Sequence, residues 1–287
     1  MKLTKSERNS IVLVAFGAVL FLLVLFLTFQ TSSYQLSNYA FIHTLLELAS
    51  VVISLSIFIY GCLTYPIIKS RLLLLVSLSF LIIAIYDILH TITYPGMPNV
   101  FNQPTDQATL WFWIGARFTG AFTLLLMIYL KSVDVNITKK KETVLWITLV
   151  AISVSVTSTL IMAYSNSFPS LIGDMGLTPL KKGLEYLVIA IHLATLFLLW
   201  NKYKKQQNLF YLNLMRASFF LILCGLTVTF YQTIQDAILV IAHLFKIMGY
   251  FFIMKAFYYS TIQVPLLDKK QTEEKLIDVE SELELTL

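Results

Sequence analysis

Eight long apolar stretches constrain this chain more than any other feature. They run roughly over 9–30, 39–63, 72–94, 108–130, 143–164, 181–201, 209–232 and 236–259. A helix crossing a bilayer needs about 20 predominantly apolar residues, so eight crossings take about 160. The chain has 287 residues, 57% hydrophobic and only 13% charged, with a mean hydropathy of +0.77. An average soluble domain is about 25% charged. Most soluble catalytic folds are thereby excluded, as are disordered, collagen-like and disulfide-scaffolded chains. The fold class expected is all-α, a polytopic bundle of eight transmembrane helices over residues 1–260, followed by a short charged tail over 261–287.

Local signals agree. All seven prolines (Pro66, Pro95, Pro98, Pro104, Pro169, Pro179, Pro265) fall between the stretches or at their ends, where a residue that breaks the helix ladder is tolerated. Segments seven and eight are divided by Thr233, Ile234 and Gln235 alone, which requires a tight helical hairpin. Lys2, Lys5 and Arg8 before the first segment imitate a signal peptide. The apolar run is too long for one, however, and Gln30-Thr31-Ser32-Ser33 offers no small-x-small cleavage site. Cys62 and Cys224 both lie in apolar segments and read as small buried hydrophobes.

Charge sets the orientation. Of 21 basic residues, Lys2, Lys5, Arg8, Lys69, Arg71, Lys131, Lys139–Lys141, Lys202, Lys204 and Lys205 fall on one side of the eight-span parse. Lys269, Lys270 and Lys275 join them in the tail, and only Lys181 and Lys182 fall in loops on the other side. The positive-inside rule then places both termini in the cytoplasm. The formal charge of +5 reflects these loops and not a nucleic-acid partner. In the tail, Leu276, Val279 and Leu283 recur at helical spacing and predict a short amphipathic helix.

Polar residues inside the segments are costly and therefore candidates for function. With this topology His43 and Glu47 in segment two, Asp87 and His90 in segment three, Arg117 in segment four, Glu185 and His192 in segment six, and His243 and Lys246 in segment eight lie in the outer half of the bilayer. Tyr94 marks the outer exit of segment three. All four histidines of the chain are in this layer. Arg216 and Lys255 are placed to snorkel to the inner surface. His43/Glu47 (i,i+4), Asp87/His90 (i,i+3) and His243/Lys246 (i,i+3) each share a helix face, so the three faces should converge inside the bundle. Three carboxylates against Arg117 and Lys246 give this layer a formal charge of −1 with neutral imidazoles.

Blander readings stand beside this one. Arg117 could neutralise Asp87 or Glu47, and Lys246 could pair with Glu185, as structural ion pairs. His43 and His90 could be interfacial histidines bonded to backbone. Trp111 and Trp113 read as an outer aromatic belt. Histidines with carboxylates can also hold a divalent transition metal, with His43, His90 and His243 the candidate ligands. Two of them could ligate a haem, and the set could carry or sense protons. No H-E-x-x-H, C-x-x-C, P-loop or dinucleotide motif occurs.

Four blocks carry a family resemblance. They are His43-x-x-x-Glu47; Asp87-Ile-Leu-His-Thr-Ile-Thr-Tyr-Pro-Gly-Met-Pro98 followed by Leu110-Trp111 and Ala116-Arg117; Gly176-Leu-Thr-Pro-Leu-Lys181 leading to Glu185-Tyr186; and His243-Leu-Phe-Lys246 with Lys255-Ala-Phe and Pro265-Leu. In this order they resemble the bacterial membrane-associated sensor domain family of the third type. The resemblance implies an input domain for signalling at the bacterial plasma membrane, of the kind found upstream of histidine kinase, PAS or diguanylate cyclase modules. Its characteristic polar positions map to His43, Glu47, Asp87, His90, Arg117, Glu185, His243 and Lys246. It names no stimulus. No catalytic or output domain is read before Leu287. The output is therefore expected from a cytoplasmic signalling partner, or from self-association through the C-terminal helix. The rival readings are a proton- or ion-coupled transporter, a metal or haem redox protein, and a structural subunit.

Overall fold

In hydrocarbon every backbone N–H and C=O must be satisfied within the chain, so each long apolar run has to close its own helical ladder. The computed structural model describes residues 4–30, 36, 38–68, 70–97, 106–129, 140–173, 176–231, 233, 236–263, 266, 270 and 272–277. It contains α1 (Lys5–Gln30), α2 (Tyr39–Ile68), α3 (Arg71–Ile92), α4 (Asp106–Tyr129), α5 (Lys140–Tyr164), α6 (Pro179–Gln206), α7 (Leu209–Val228) and α8 (Ile238–Tyr258). All eight are long and apolar enough to cross a membrane. A two-stranded antiparallel ribbon, Ile172–Gly173 with Gly176–Leu177, precedes α6.

Six helices close into a ring. In spatial order they are α2, α3, α4, α6, α7 and α8, with α8 returning to α2. α1 lies outside against α7, and α5 outside against α3 and α4. The apolar windows of α1 and α5 are only 11% and 6% buried, against 67% for α7. Their bare faces, with Phe16 and Leu160 exposed, suit lipid tails. Close approach in the ring depends on small residues. A Cβ on Gly249 of α8 would lie 2.6 Å from Leu221 Cγ of α7.

Capping fixes several helix starts. The Ser70 hydroxyl accepts from Leu73 N, and Thr178 accepts from Lys181 N ahead of Pro179 at the first turn. Asn208 opens α7 directly after Gln207 ends α6 in a left-handed turn (φ 49°).

Four expectations are corrected. Segment seven was expected to reach residue 232 and turn on three residues. Instead α7 stops at Val228 and α8 begins at Ile238. Thr229 N and Phe230 N turn back onto Leu226 O and Thr227 O, and the Asp236 carboxylate accepts from Ile238 N to start α8. Pro66 was read as a helix boundary, yet α2 continues through it to Ile68. Near a C-terminus the proline removes a single ladder bond. Arg216 does not snorkel. It is buried, and its guanidinium donates to Ser10 Oγ, Ser6 O and Asn213 Oδ1, all at 2.8 Å, clasping α1 to α7. Trp113 is buried inside the ring and forms no part of an outer belt.

Beyond α8 the helix widens into a π turn over Tyr259–Gln263, and residues 272–277 are helical with Leu276 exposed. Val279 and Leu283 of the expected amphipathic stripe lie outside the described residues, as do Pro98, Pro104, Pro265 and the loop lysines Lys2, Lys69, Lys131, Lys139 and Lys269.

Candidate functional site

One end of the ring gathers the start of α2, α4, α6 and α8 and the end of α3. Helical spacing aims polar side chains inward from each. α2 supplies His43 and Glu47, one turn apart. α3 supplies Asp87 and His90 from its last turns, and α8 supplies His243 and Lys246. α4 presents Thr109, Trp113 and Arg117 on one stripe at i, i+4 and i+8. α6 presents Lys181, Glu185 and, two turns further on, His192. All of these side chains are buried.

The three paired faces expected from the sequence do converge. His43 Nε2 and His90 Nε2 are 3.2 Å apart. Glu47 Oε1 is 2.8 Å from His243 Nε2, 3.8 Å from His90 Nε2 and 4.0 Å from His43 Nε2. Lys246 Nζ donates to both Glu47 oxygens at 2.7 and 2.6 Å, and lies 3.5 Å from Asp87 Oδ1. Tyr94 stacks on His43 with ring centroids 4.2 Å apart. A cavity of about 40 Å³ adjoins the cluster, lined by His43, His90, His243, Tyr94, Trp113 and Lys181 among others. It has room for an ion or a water or two, whereas a drug-sized ligand needs roughly 300 Å³ or more.

A second cluster adjoins the first. Lys181 Nζ donates to Glu185 Oε1 at 2.6 Å, and Trp113 Nε1 donates to the same oxygen at 2.8 Å. The Trp113 ring links the two clusters. Its centroid is 5.4 Å from that of His90, 5.3 Å from that of His243 and 5.0 Å from Lys246 Nζ. Lys181 Nζ and the Arg117 guanidinium lie 5.9 Å from it, within cation–π range.

Several pairings differ from the alternatives weighed on sequence. Lys246 pairs with Glu47 and not with Glu185. Arg117 Nη2 donates at 2.8 Å to Leu221 O of α7, with Glu185 and Asp87 as electrostatic neighbours. His192 is buried on the Arg117 side and does not join the other three histidines. Sequence reasoning missed Lys181 and Trp113. Lys181 was placed in a loop, although it sits at i,i+4 from Glu185, as Trp113 does from Arg117; that spacing was the available signal. Burying Lys181 also revises the charge. Glu47, Asp87 and Glu185 now face Lys181, Arg117 and Lys246, so these six groups balance, while Asp106 lines the adjoining cavity and Asp236 is buried near Tyr39.

The site can hold small cations but not every cofactor considered. A haem shared by two of these histidines would have to pass between their nitrogens. The cavity there, about 40 Å³, is far below the roughly 300 Å³ or more that a ligand of that size needs. Three imidazoles and one carboxylate oxygen, all within 4.8 Å of one another, are of a size to surround a single metal ion.

A closed ring of spanning helices with ionisable groups buried at one end defines a multi-pass membrane protein with an intramembrane polar site. The chain belongs to the membrane-associated sensor domain family (MASE3), which matches residues 34–265, from just before α2 to just past α8. α1 lies outside that span, as it lies outside the ring. The family is a sensory input domain of signal transduction, not a catalytic one. No curated protein and no solved structure matches the chain.

Proposed function

We propose that this protein is the signal-input module of a bacterial plasma-membrane sensor, with both termini cytoplasmic and the polar cluster opening toward the outside. A cation, a proton or a small polar ligand binds among His43, Glu47, Asp87, His90, Tyr94, Arg117, Glu185, His192, His243 and Lys246. The reading is carried by one observation. The Glu47–Lys246–Asp87 contacts tie α2, α3 and α8 together at one end of the ring, and α8 leads at its other end to the C-terminal segment. Any ligand that changes these contacts acts directly on the position of α8. A signal requires different affinity for two arrangements of the ring, and a buried ion pair that can be exchanged offers two such arrangements. The 1–260 membrane domain senses and the 261–287 tail relays, either to a cytoplasmic output protein or by self-association.

The test is a fusion of the full chain to a diguanylate cyclase output, read as product formed in cells and in vesicles. His90→Ala and Arg117→Ala should shift or abolish the response to external ions and pH while the fusion remains in the membrane. An unchanged response profile in both variants would remove this cluster as the input.

A further inference from the structure

The hydrogen-bond partners of the histidines carry more than their proximity does. His90 Nδ1 lies 2.8 Å from Thr109 O, and His243 Nδ1 lies 2.6 Å from Leu239 O. A main-chain carbonyl only accepts, so both Nδ1 atoms carry protons. In each neutral ring the remaining Nε2 is then a bare lone pair. His90 Nε2 and His243 Nε2 both face Glu47 Oε1, as His43 Nε2 does. A backbone carbonyl that fixes one ring nitrogen and leaves the other free is the usual outer support of a metal-bound histidine.

One contact and three buried atoms call for a further partner. His243 Nε2 stands 2.8 Å from a carboxylate oxygen, a contact that needs a cation between the two atoms, either a proton on Nε2 or a shared metal ion. No hydrogen bond reaches either Asp87 oxygen or His43 Nδ1 among the described residues, although all three atoms are buried.

Distances fit a small ion. Four ligands about 2.0–2.1 Å from a tetrahedral zinc ion stand about 3.3 Å from each other. His43 Nε2 to His90 Nε2 is 3.2 Å, and the Glu47 Oε1 separations run from 2.8 to 4.0 Å. Calcium and magnesium prefer all-oxygen shells, whereas imidazoles suit zinc and its neighbours. Because the six charged groups of the two clusters balance, the attraction rests on converging lone pairs.

We infer that His43, His90, His243 and Glu47 form a binding site for a divalent first-row transition metal ion of the zinc type, and that the ion takes the Glu47 carboxylate from Lys246, which turns to Asp87. His43 presents Nε2 by carrying its proton on Nδ1. Lys246 keeps its charge and exchanges one carboxylate for the other. Its Nζ already lies 3.5 Å from Asp87 Oδ1, and Asp87 has unused acceptor capacity. The exchange moves a side chain of α8 relative to α2 and α3. Its meaning as a signal rests on the sensory reading above, whereas the binding itself does not.

The test uses the full chain in mild detergent, free of a polyhistidine tag and stripped with a chelator. Zinc is titrated in competition with a chromophoric chelator, and cobalt(II) serves as the spectroscopic probe of coordination. The expected result is one ion per chain with tetrahedral cobalt bands. His90→Gln and His243→Gln each remove a ligand and should weaken binding by more than the roughly 10- to 100-fold that loss of an outer supporting group costs. Lys246→Met should tighten binding by removing the competing cation. Folding of each variant is verified by its melting transition. A folded wild type that takes up no stoichiometric zinc or cobalt overturns the site, as does binding indifferent to His90→Gln and His243→Gln. Weaker binding in Lys246→Met overturns the exchange. The cyclase fusion separates the two readings. A fusion that responds through Glu47 and Lys246 without binding metal leaves the sensory reading standing and removes the metal. Bound metal with an unresponsive fusion does the reverse.

Discussion

Replacing Lys246 by Met tests whether the buried ion pair holds the ring together. Lys246 and Glu47 are both fully buried, joined by two hydrogen bonds of 2.7 and 2.6 Å. Methionine occupies a similar volume, so the packing loss should stay below about 1.5 kcal/mol. The main effect is to strand Glu47 and Asp87 without their shared cation. Removing one partner of a buried pair costs about 3–5 kcal/mol, a large share of a typical total stability of about 5–15 kcal/mol. Adding Glu47→Gln removes the stranded charge. The double variant should therefore recover part of the loss, with a coupling of about 2 kcal/mol. Unfolding of the detergent-solubilised protein, followed by circular dichroism in the presence of a chelator, measures all four corners of the cycle. The reasoning fails if Lys246→Met lies within about 1 kcal/mol of wild type, or if the two single effects simply add.

Arg216→Ala should release α1 from α7, because it removes the donors to Ser6 and Ser10. Limited proteolysis at Lys5 and Arg8 should accelerate while the melting of the ring changes little. Trp113→Phe keeps the aromatic ring but takes the hydrogen bond from buried Glu185, at a cost of about 1–3 kcal/mol. A thermal melt measures that loss, and the same variant identifies the share of tryptophan fluorescence that responds to zinc.

How much was legible in the sequence follows from the range of each interaction. Helix existence is local. A bilayer-length apolar run must pair its own backbone, so eight runs specified eight helices without reference to one another. Helix ends are less local. The α7–α8 connection was misread because Thr229, Phe230 and buried Tyr231 look as apolar as a helix does, and the backward turn at Leu226 and Thr227 is set by packing. The polar layer was legible because buried charge is costly wherever it occurs. That cost singled out His43, Glu47, Asp87, His90, His243 and Lys246 before any contact was known.

The sequence by itself determined the membrane class, the number of helices and the faces each helix must hide, since these depend on composition and on the 3.6-residue period. Partner choice belonged to the tertiary structure alone. Period and depth place Lys246 near three carboxylates, but only the closing of α8 onto α2 selects Glu47, leaves Asp87 within 3.5 Å and gives Glu185 to Lys181. The same closure draws Trp113 between the two clusters and leaves His192 apart from the other three histidines. A spacing rule fixes direction along one helix, whereas distances of 2.6–3.5 Å between helices are fixed by the packing of the whole ring.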